Sequence, residues 1–278
     1  MTRLLITGGS SYLGRHLVPL AAPNFQIGYT YFTGDPLPAA GGRQLNVLDR
    51  EAVHELFQQL QPEVVIHTIR SNRVPEMETV ITVGALNVSA AAQAIGARLV
   101  HVSTDVVFDG QHGPYTEEAP VSPIHAYGRA KVEAEQIVAA HRDHVIVRTS
   151  LIYGLHTMDR GTAWIVETLA ANKPVTLFTD QLRNPVWVES LSLACLELAG
   201  NEHVGILNIA GGQALTRAEF GLRMLDWWGI TDRNSLRFGQ SDAARWPRDC
   251  RLDLSRARAI LSTPLPGVDE VLRAHRVT

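Results

Sequence analysis

A short apolar run from Leu4 to Ile6 ends at Gly8-Gly9 and opens into a helical pattern near Tyr12. A strand that feeds a glycine turn and then a helix N-terminus leaves the chain few ways to fold. The turn gathers backbone N–H groups and the positive end of a helix dipole at one point, ready for an anion. The chain then repeats the same rhythm. Strands are predicted at Leu4–Ile6, Gln26–Tyr31, Val64–Thr68, Leu99–Ser103 and Val145–Arg148, each a short apolar or β-branched run. Helices are predicted at Gly14–Leu20, Arg50–Leu60, Val83–Ile95 and Tyr127–Ala140, with Pro62 just beyond the second and Gly96 stopping the third. Right-handed crossovers then require an α/β fold: a Rossmann-type doubly wound parallel sheet with its ligand at the C-terminal strand ends.

After Gly154 the rhythm loosens. Gly161–Asn172 reads as helix, Val175–Phe178 and Asn184–Val188 as extended, Leu191–Ala199 as helix and Val204–Ala210 as a late strand. Residues 1–154 are thus expected to form a dinucleotide-binding domain, with 178–211 returning to it. Residues 155–177 and 212–278, which carry Trp227-Trp228 and Trp246, are expected to form a small C-terminal substrate lobe.

A chain of 278 residues with 45% hydrophobic residues can bury one large core and is not disordered. A net charge of −3 argues against general nucleic-acid affinity. Cys195 and Cys250 lie far apart without metal-ligand spacing, as buried thiols of a reduced compartment would. The first strand begins at once and no apolar run approaches about 18 residues, so neither a signal peptide nor a membrane span is expected, and the location is expected to be cytoplasmic. The 11 histidines make no HxH, HExxH or HxxxH set, so no metal is expected; His125 is near Tyr127 in sequence alone.

The chemistry is written in two segments. Only two of the 25 basic residues are lysines, and one of them, Lys131, follows Tyr127 by four positions in YGRAK. On a helix those positions share a face. A compact ammonium beside a phenol favours the phenolate and lowers a pKa of about 10, which lets tyrosine act as a proton donor near neutrality. Upstream, LVHVSTDVVFDG is an apolar strand that ends in Ser103-Thr104-Asp105, and Thr104 could bond the same carbonyl oxygen. A hydroxyl, a phenol and an ammonium at one site suit hydride transfer to a carbonyl. Arg148, Arg183, Arg245 and Arg248 are candidates for contacts to an anionic substrate.

Thr7-Gly8-x-x-Ser11-x-x-Gly14, STDVVFDG and YGRAK resemble the extended short-chain dehydrogenase/reductase superfamily, and within it the dTDP-4-dehydrorhamnose reductase-like branch. Val147-Arg148-Thr149-Ser150, Arg183-Asn184-Pro185 and Pro247–Asp253 fit as well. The resemblance implies reduction of a keto group on a nucleotide-linked sugar, with Thr104, Tyr127 and Lys131 catalytic. It implies a cofactor site of Gly8, Ser10, Ser11, Tyr12, Leu13, Gly14, Arg15, Asn46, Asp49, Thr68 and Ser103, joined by Tyr127 and Lys131. It places Asp105, Val106, Arg148, Arg183, Asn184 and Arg248 on the substrate side, and allows a homodimer. The second strand ends in Tyr31-Phe32-Thr33-Gly34 without the carboxylate that grips a ribose 2′-hydroxyl, so NADP (NADPH) is favoured over NAD, with Arg15 as a candidate cation. Ser11 stands where the family has glycine, Thr82 where many relatives place asparagine ahead of a helix, and Leu151 where rhamnose-pathway reductases carry tryptophan. Two other readings stay open: a non-catalytic, NADP-binding regulatory subunit like the one that partners methionine adenosyltransferase, and an epimerase of the extended family.

Overall fold

Strand-forming runs alternate with amphipathic ones in the sequence, and in the computed structural model they become one layered unit; residues 1–35, 37, 41–69 and 76–276 are described. The first half runs β1 (Thr2–Thr7), α1 (Tyr12–Ala21), β2 (Phe25–Tyr31), β3 (Arg43–Gln44), α2 (Arg50–Leu60), β4 (Val64–His67), α3 (Met77–Ile95), β5 (Arg98–Val102), α4 (Ala126–Ala139) and β6 (His144–Arg148). The second half runs β7 (Ile152–Tyr153), α5 (Arg160–Ala170), β8 (Val175–Phe178), β9 (Leu182–Arg183), β10 (Val186–Trp187), α6 (Val188–Gly200) and β11 (Gly205–Asn208). It ends with β12 (Leu215–Thr216), α7 (Arg217–Trp227), β13 (Leu236–Gly239), α8 (Ser255–Ile260) and α9 (Val268–His275).

Among the described residues seven strands form one sheet in the order β11-β6-β5-β4-β1-β2-β3, parallel throughout. The chain direction through the sheet reverses beside β1, so a crevice opens at the C-terminal ends of β1 and β4, where ligands of such sheets bind. Side chains alternate across each strand. Leu4 and Ile6 of β1 pack with Leu17 of α1 and Leu191 and Leu198 of α6 on one face. Leu5, between them, packs on the other face with Val53 and Phe57 of α2, Val88 of α3 and Ala134 and Val138 of α4. A sheet buried on both faces explains why its strands read as continuous apolar runs.

Two boundaries differ from the sequence reading by more than about two residues. α3 starts at Met77, so Thr82 lies inside it, its hydroxyl turned back on the Glu78 carbonyl at 3.0 Å. Asn87 of the same helix is buried and donates to the Val47 carbonyl at 2.8 Å. Val188 was read as extended, yet it opens α6; only Val186 and Trp187 pair as a strand, with β7.

The second half builds two further apolar clusters. Ile165 and Leu169 of α5 pack on Val175, Leu177, Ala218 and Leu225. Tyr153, Leu155, Phe220, Met224, Val268 and Val271 form the other, flanked by Leu151, Trp187, Trp227 and Trp228. Further along the chain, Leu252, Leu254, Ala257, Leu261 and Leu265 join the same core cluster as Leu191 and Leu198 of α6. Residues 277–278, at the end of the expected lobe, lie outside the described residues. Among the described residues no helix is long and apolar enough to cross a membrane.

Candidate active site

The glycine turn is set by close approach. Gly8 holds φ +86°, and a Cβ there would come within 2.8 Å of Ile69 Cγ1. A Cβ on Gly14 would sit 2.3 Å from the Gly8 carbonyl oxygen, so only glycine lets α1 press onto the turn. Ser11 is the N-cap of α1: its Oγ accepts from Gly14 N at 2.9 Å and lies 3.0 Å from Thr68 Oγ1. The hydroxyl thus takes up one of the unpaired N–H groups of the helix start, which is how the turn accommodates a side chain there. Thr68 Oγ1 in turn lies 3.0 Å from the carbonyls of Thr7 and Gly8.

Three recesses follow one another along the strand ends. The first, about 450 Å³, is lined by Gly8, Ser10, Ser11, Tyr31, Phe32, Asn46 and Ile69, with Glu76 also on its wall. The carboxylate of Asp35 is engaged elsewhere, accepting from the Tyr29 hydroxyl at 2.6 Å and from Leu37 N at 2.9 Å. Asp49 does not line this recess; its carboxylate caps α2 by accepting from Ala52 N at 3.0 Å. Arg15 is exposed on α1, off this wall, and its charge is felt by the Tyr12 hydroxyl. Next comes a narrow slot of about 40 Å³ lined by Ser11, Tyr12, Leu13, Thr68, Ser103, Thr104 and Tyr127. The third is a cavity of about 380 Å³ that shares Tyr12, Thr104 and Tyr127 with the slot.

Tyr127 lies in the first turn of α4, which is pressed against the loop after β5. A Cβ on Gly128 would meet the Val106 carbonyl at 2.4 Å and Pro123 Cβ at 2.9 Å. Glycine after the tyrosine therefore lets the helix close on the Thr104 loop. Lys131, one turn on, is fully buried; its Nζ donates to the Val102 carbonyl at 2.7 Å and lies 3.1 Å from His101 Nε2. His101 stacks on His67 with centroids 5.2 Å apart, and His67 Nδ1 lies 2.7 Å from Thr7 Oγ1. Burial, helped by the Lys131 charge, pushes His67 down to about 3 and His101 well below its ordinary value, so both stay neutral. Sequence reasoning missed this pair. The signal was available, since β4 and β5 place His67 and His101 in register.

Asp105, Val106 and Arg183 line the third cavity. Asp105 Oδ2 accepts from Ser150 Oγ at 2.6 Å and lies 3.5 Å from Arg183 Nε. Burial raises the Asp105 pKa, against the opposing pull of the Arg183 guanidinium and the Ser150 hydroxyl. Arg183 is itself pinned by the carbonyls of Leu182, Arg248 and Pro247 at 2.7, 2.9 and 2.8 Å. Arg160 and Arg217, at the starts of α5 and α7, line the same wall, as do Asp159 and His125. None of these four was singled out for the site. The capping box Thr216-x-x-Glu219 marks Arg217 as the first residue of a helix, but nothing local says that this helix end meets Arg183.

Other expected substrate residues do not reach the cavity. Arg148 is buried on β6 and forks onto Glu135, Nη2 to Oε2 at 2.7 Å, with Phe108 beneath it at 5.1 Å; Ser103 Oγ donates to the same carboxylate. Arg248 pairs with Asp180 at 3.0 Å, and Arg245 with Asp242 at 3.4 Å, both off the cavity wall. Asn184 ties the Gly211 carbonyl at 3.1 Å and accepts from Leu252 N at 3.0 Å. His125 corrects the opposite error. It is no neighbour of Tyr127 in sequence alone, for it caps α4 and its ring centroid lies 6.2 Å from that of Tyr127.

The RmlD substrate binding domain family model matches residues 1–275. The chain belongs to this family. That membership places it in the extended short-chain dehydrogenase/reductase group, among its oxidoreductases. The chain is similar to methionine adenosyltransferase 2 subunit beta of Rattus norvegicus, with 28% identity over 93% of this chain and 82% of that protein. It is 29% identical to a probable low-salt glycan biosynthesis reductase of Haloferax volcanii, over 97% of this chain and 95% of the relative. The crystal structure of a hypothetical dTDP-4-dehydrorhamnose reductase from Sulfolobus tokodaii superposes with a TM-score of 0.83 at 28% identity, covering 98% of this chain and 99% of the other. Structures of the same fold at 24% and 20% identity were solved with NADP and with NAD, respectively.

Proposed function

We propose that the protein is an NADPH-dependent reductase of a keto group on a nucleotide-linked sugar. What carries the reading is that Thr104 and Tyr127 line both the narrow slot at the strand ends and the arginine-bearing cavity beside it. The residues of the first recess and slot fit a dinucleotide: glycines at the turn, the N-terminus of α1 behind it, and a β2 end without carboxylate. A nicotinamide cofactor, when bound there, supplies the hydride. Thr104 holds the substrate carbonyl oxygen, and Tyr127 donates the proton to it from the hydroxyl. Lys131, fixed by the Val102 carbonyl, favours the ionised phenol and would help to hold the nicotinamide ribose of a bound cofactor. Arg183, Arg217 and Arg160 face the substrate diphosphate.

Tyr127→Phe should lower kcat at least about 100-fold while leaving the dissociation constant for NADPH nearly unchanged, because only the proton donor is lost. Full turnover by this variant would refute the assignment. NADPH should bind more tightly than NADH, because the end of β2 carries no carboxylate to repel the 2′-phosphate; equal constants would remove the preference. A second reading, a cofactor-binding regulatory subunit, is favoured by the 28% identity to methionine adenosyltransferase 2 subunit beta. A panel of nucleotide-linked 4-keto sugars, followed by NADPH absorbance beside an NADPH titration, separates the two: oxidation with one substrate supports the enzyme, and tight binding without turnover supports the subunit.

A further inference from the structure

α4 begins at Ala126, so Tyr127 stands in its first turn, and the residue that closes this turn is a histidine. His125 Nδ1 lies 3.0 Å from Gly128 N and accepts its hydrogen. An imidazole nitrogen accepts only when it carries no proton, so the cap requires the neutral ring with its hydrogen on Nε2. Ser, Thr and Asn, common residues at such positions, keep their acceptor at every ordinary pH. Histidine does not. Protonated, Nδ1 would face the Gly128 N–H as a second donor and put a cation at the positive end of the helix dipole.

The surroundings press the same way. The ring is half-buried between Tyr127 and the edge of Trp246, whose centroid is 5.8 Å away. Burial, then the charges of Arg129 on α4 and Arg183 on β9, hold the His125 pKa below its ordinary value, while the His125 backbone and Asp105 pull it up. A lowered value means that folding favours the neutral ring. That stabilisation is complete above the free-histidine value and is lost as pH falls through the folded one.

We propose that His125 is a positioning residue for Tyr127: its neutral imidazole closes the first turn of α4, and its protonation opens that turn and withdraws the phenol from the cleft. The proposal rests on Tyr127 as proton donor, but one arm of its test does not. Amide hydrogen exchange at Gly128, compared with an amide mid-helix in α4, should show protection at about pH 8 that is lost as pH is lowered through the ring's folded value to about pH 4. His125→Asn keeps an acceptor that does not titrate, so its Gly128 protection should not change between those conditions. In turnover, the parent should lose about fivefold in kcat on the acid side, the size of a lost cap, through a limb that His125→Asn lacks. His125→Ala should be depressed by about the same factor at every pH. Equal Gly128 protection at both pH values, or an acid limb that survives in His125→Asn, would overturn the proposal. An inactive parent that still shows the exchange switch would instead refute the reductase reading and leave the histidine cap standing.

Discussion

Two buried arginine–carboxylate pairs lie near the strand ends, and they differ in how completely they are closed. Arg148 and Glu135 form a fork with contacts of 2.7, 3.1 and 3.2 Å, and Ser103 bonds the same carboxylate from the other side. Arg183 and Asp105 meet only at 3.5 Å, on the wall of a cavity that also holds Arg217. The first pair spends its hydrogen-bonding capacity on protein. In the second, like charges are brought together and the carboxylate is left at a cost, an arrangement that an anionic ligand would relieve. Residue type did not separate the two arginines; position on or off the cavity wall did.

The largest expected difference between the pairs is in stability. Arg148→Met should leave Glu135 buried without its cation and cost about 3–5 kcal/mol in denaturant unfolding, whereas adding Glu135→Leu should restore most of it. A loss below about 1 kcal/mol would mean that the fork is no more structural than the cavity pair.

Arg217→Ala should act on the other side of the comparison. With a nucleotide-linked keto sugar, kcat/KM should fall about 10- to 100-fold, the worth of a charge-assisted contact to an anion. Its melting temperature should stay level or rise, because Arg183 loses a like-charged neighbour. A marked fall in melting temperature with unchanged kcat/KM would place Arg217 with Arg148 as a structural residue.

The smallest effect is expected at Asp105. Because its folded pKa is raised, the stability it lends is whole below the usual carboxylate value and declines as pH rises through the folded one. Asp105→Asn should therefore melt about 1–2 °C above the parent at neutral pH and level with it in acid, read by calorimetry. A parent more stable than the variant at neutral pH would show that the Arg183 and Ser150 contacts outweigh burial. The cavity pair would then be closed after all.

The sequence by itself determined the sheet and the part of the site that local pattern encodes. α2 is found at Arg50–Leu60 as read, and the five early strands stand within about two residues of their expected bounds. Apolar runs and helical periodicity are properties of neighbouring residues, which is why Leu4, Leu5 and Ile6 announce a buried strand without any tertiary information. The turn at Gly8 and the four-residue spacing from Tyr127 to Lys131 are local in the same sense. Tertiary structure decided the rest. Arg148 and Arg183 look alike until β6 turns one towards Glu135 and β9 turns the other towards the cavity. Arg217, 34 residues beyond Arg183, reaches that cavity because β12 pairs with β9. Asp49 went to a helix cap, and His125 acquired its acceptor role from the turn it closes. Whether a polar side chain serves fold or ligand depends on which partners have already taken its hydrogen bonds, and those partners come from distant segments that no local pattern names.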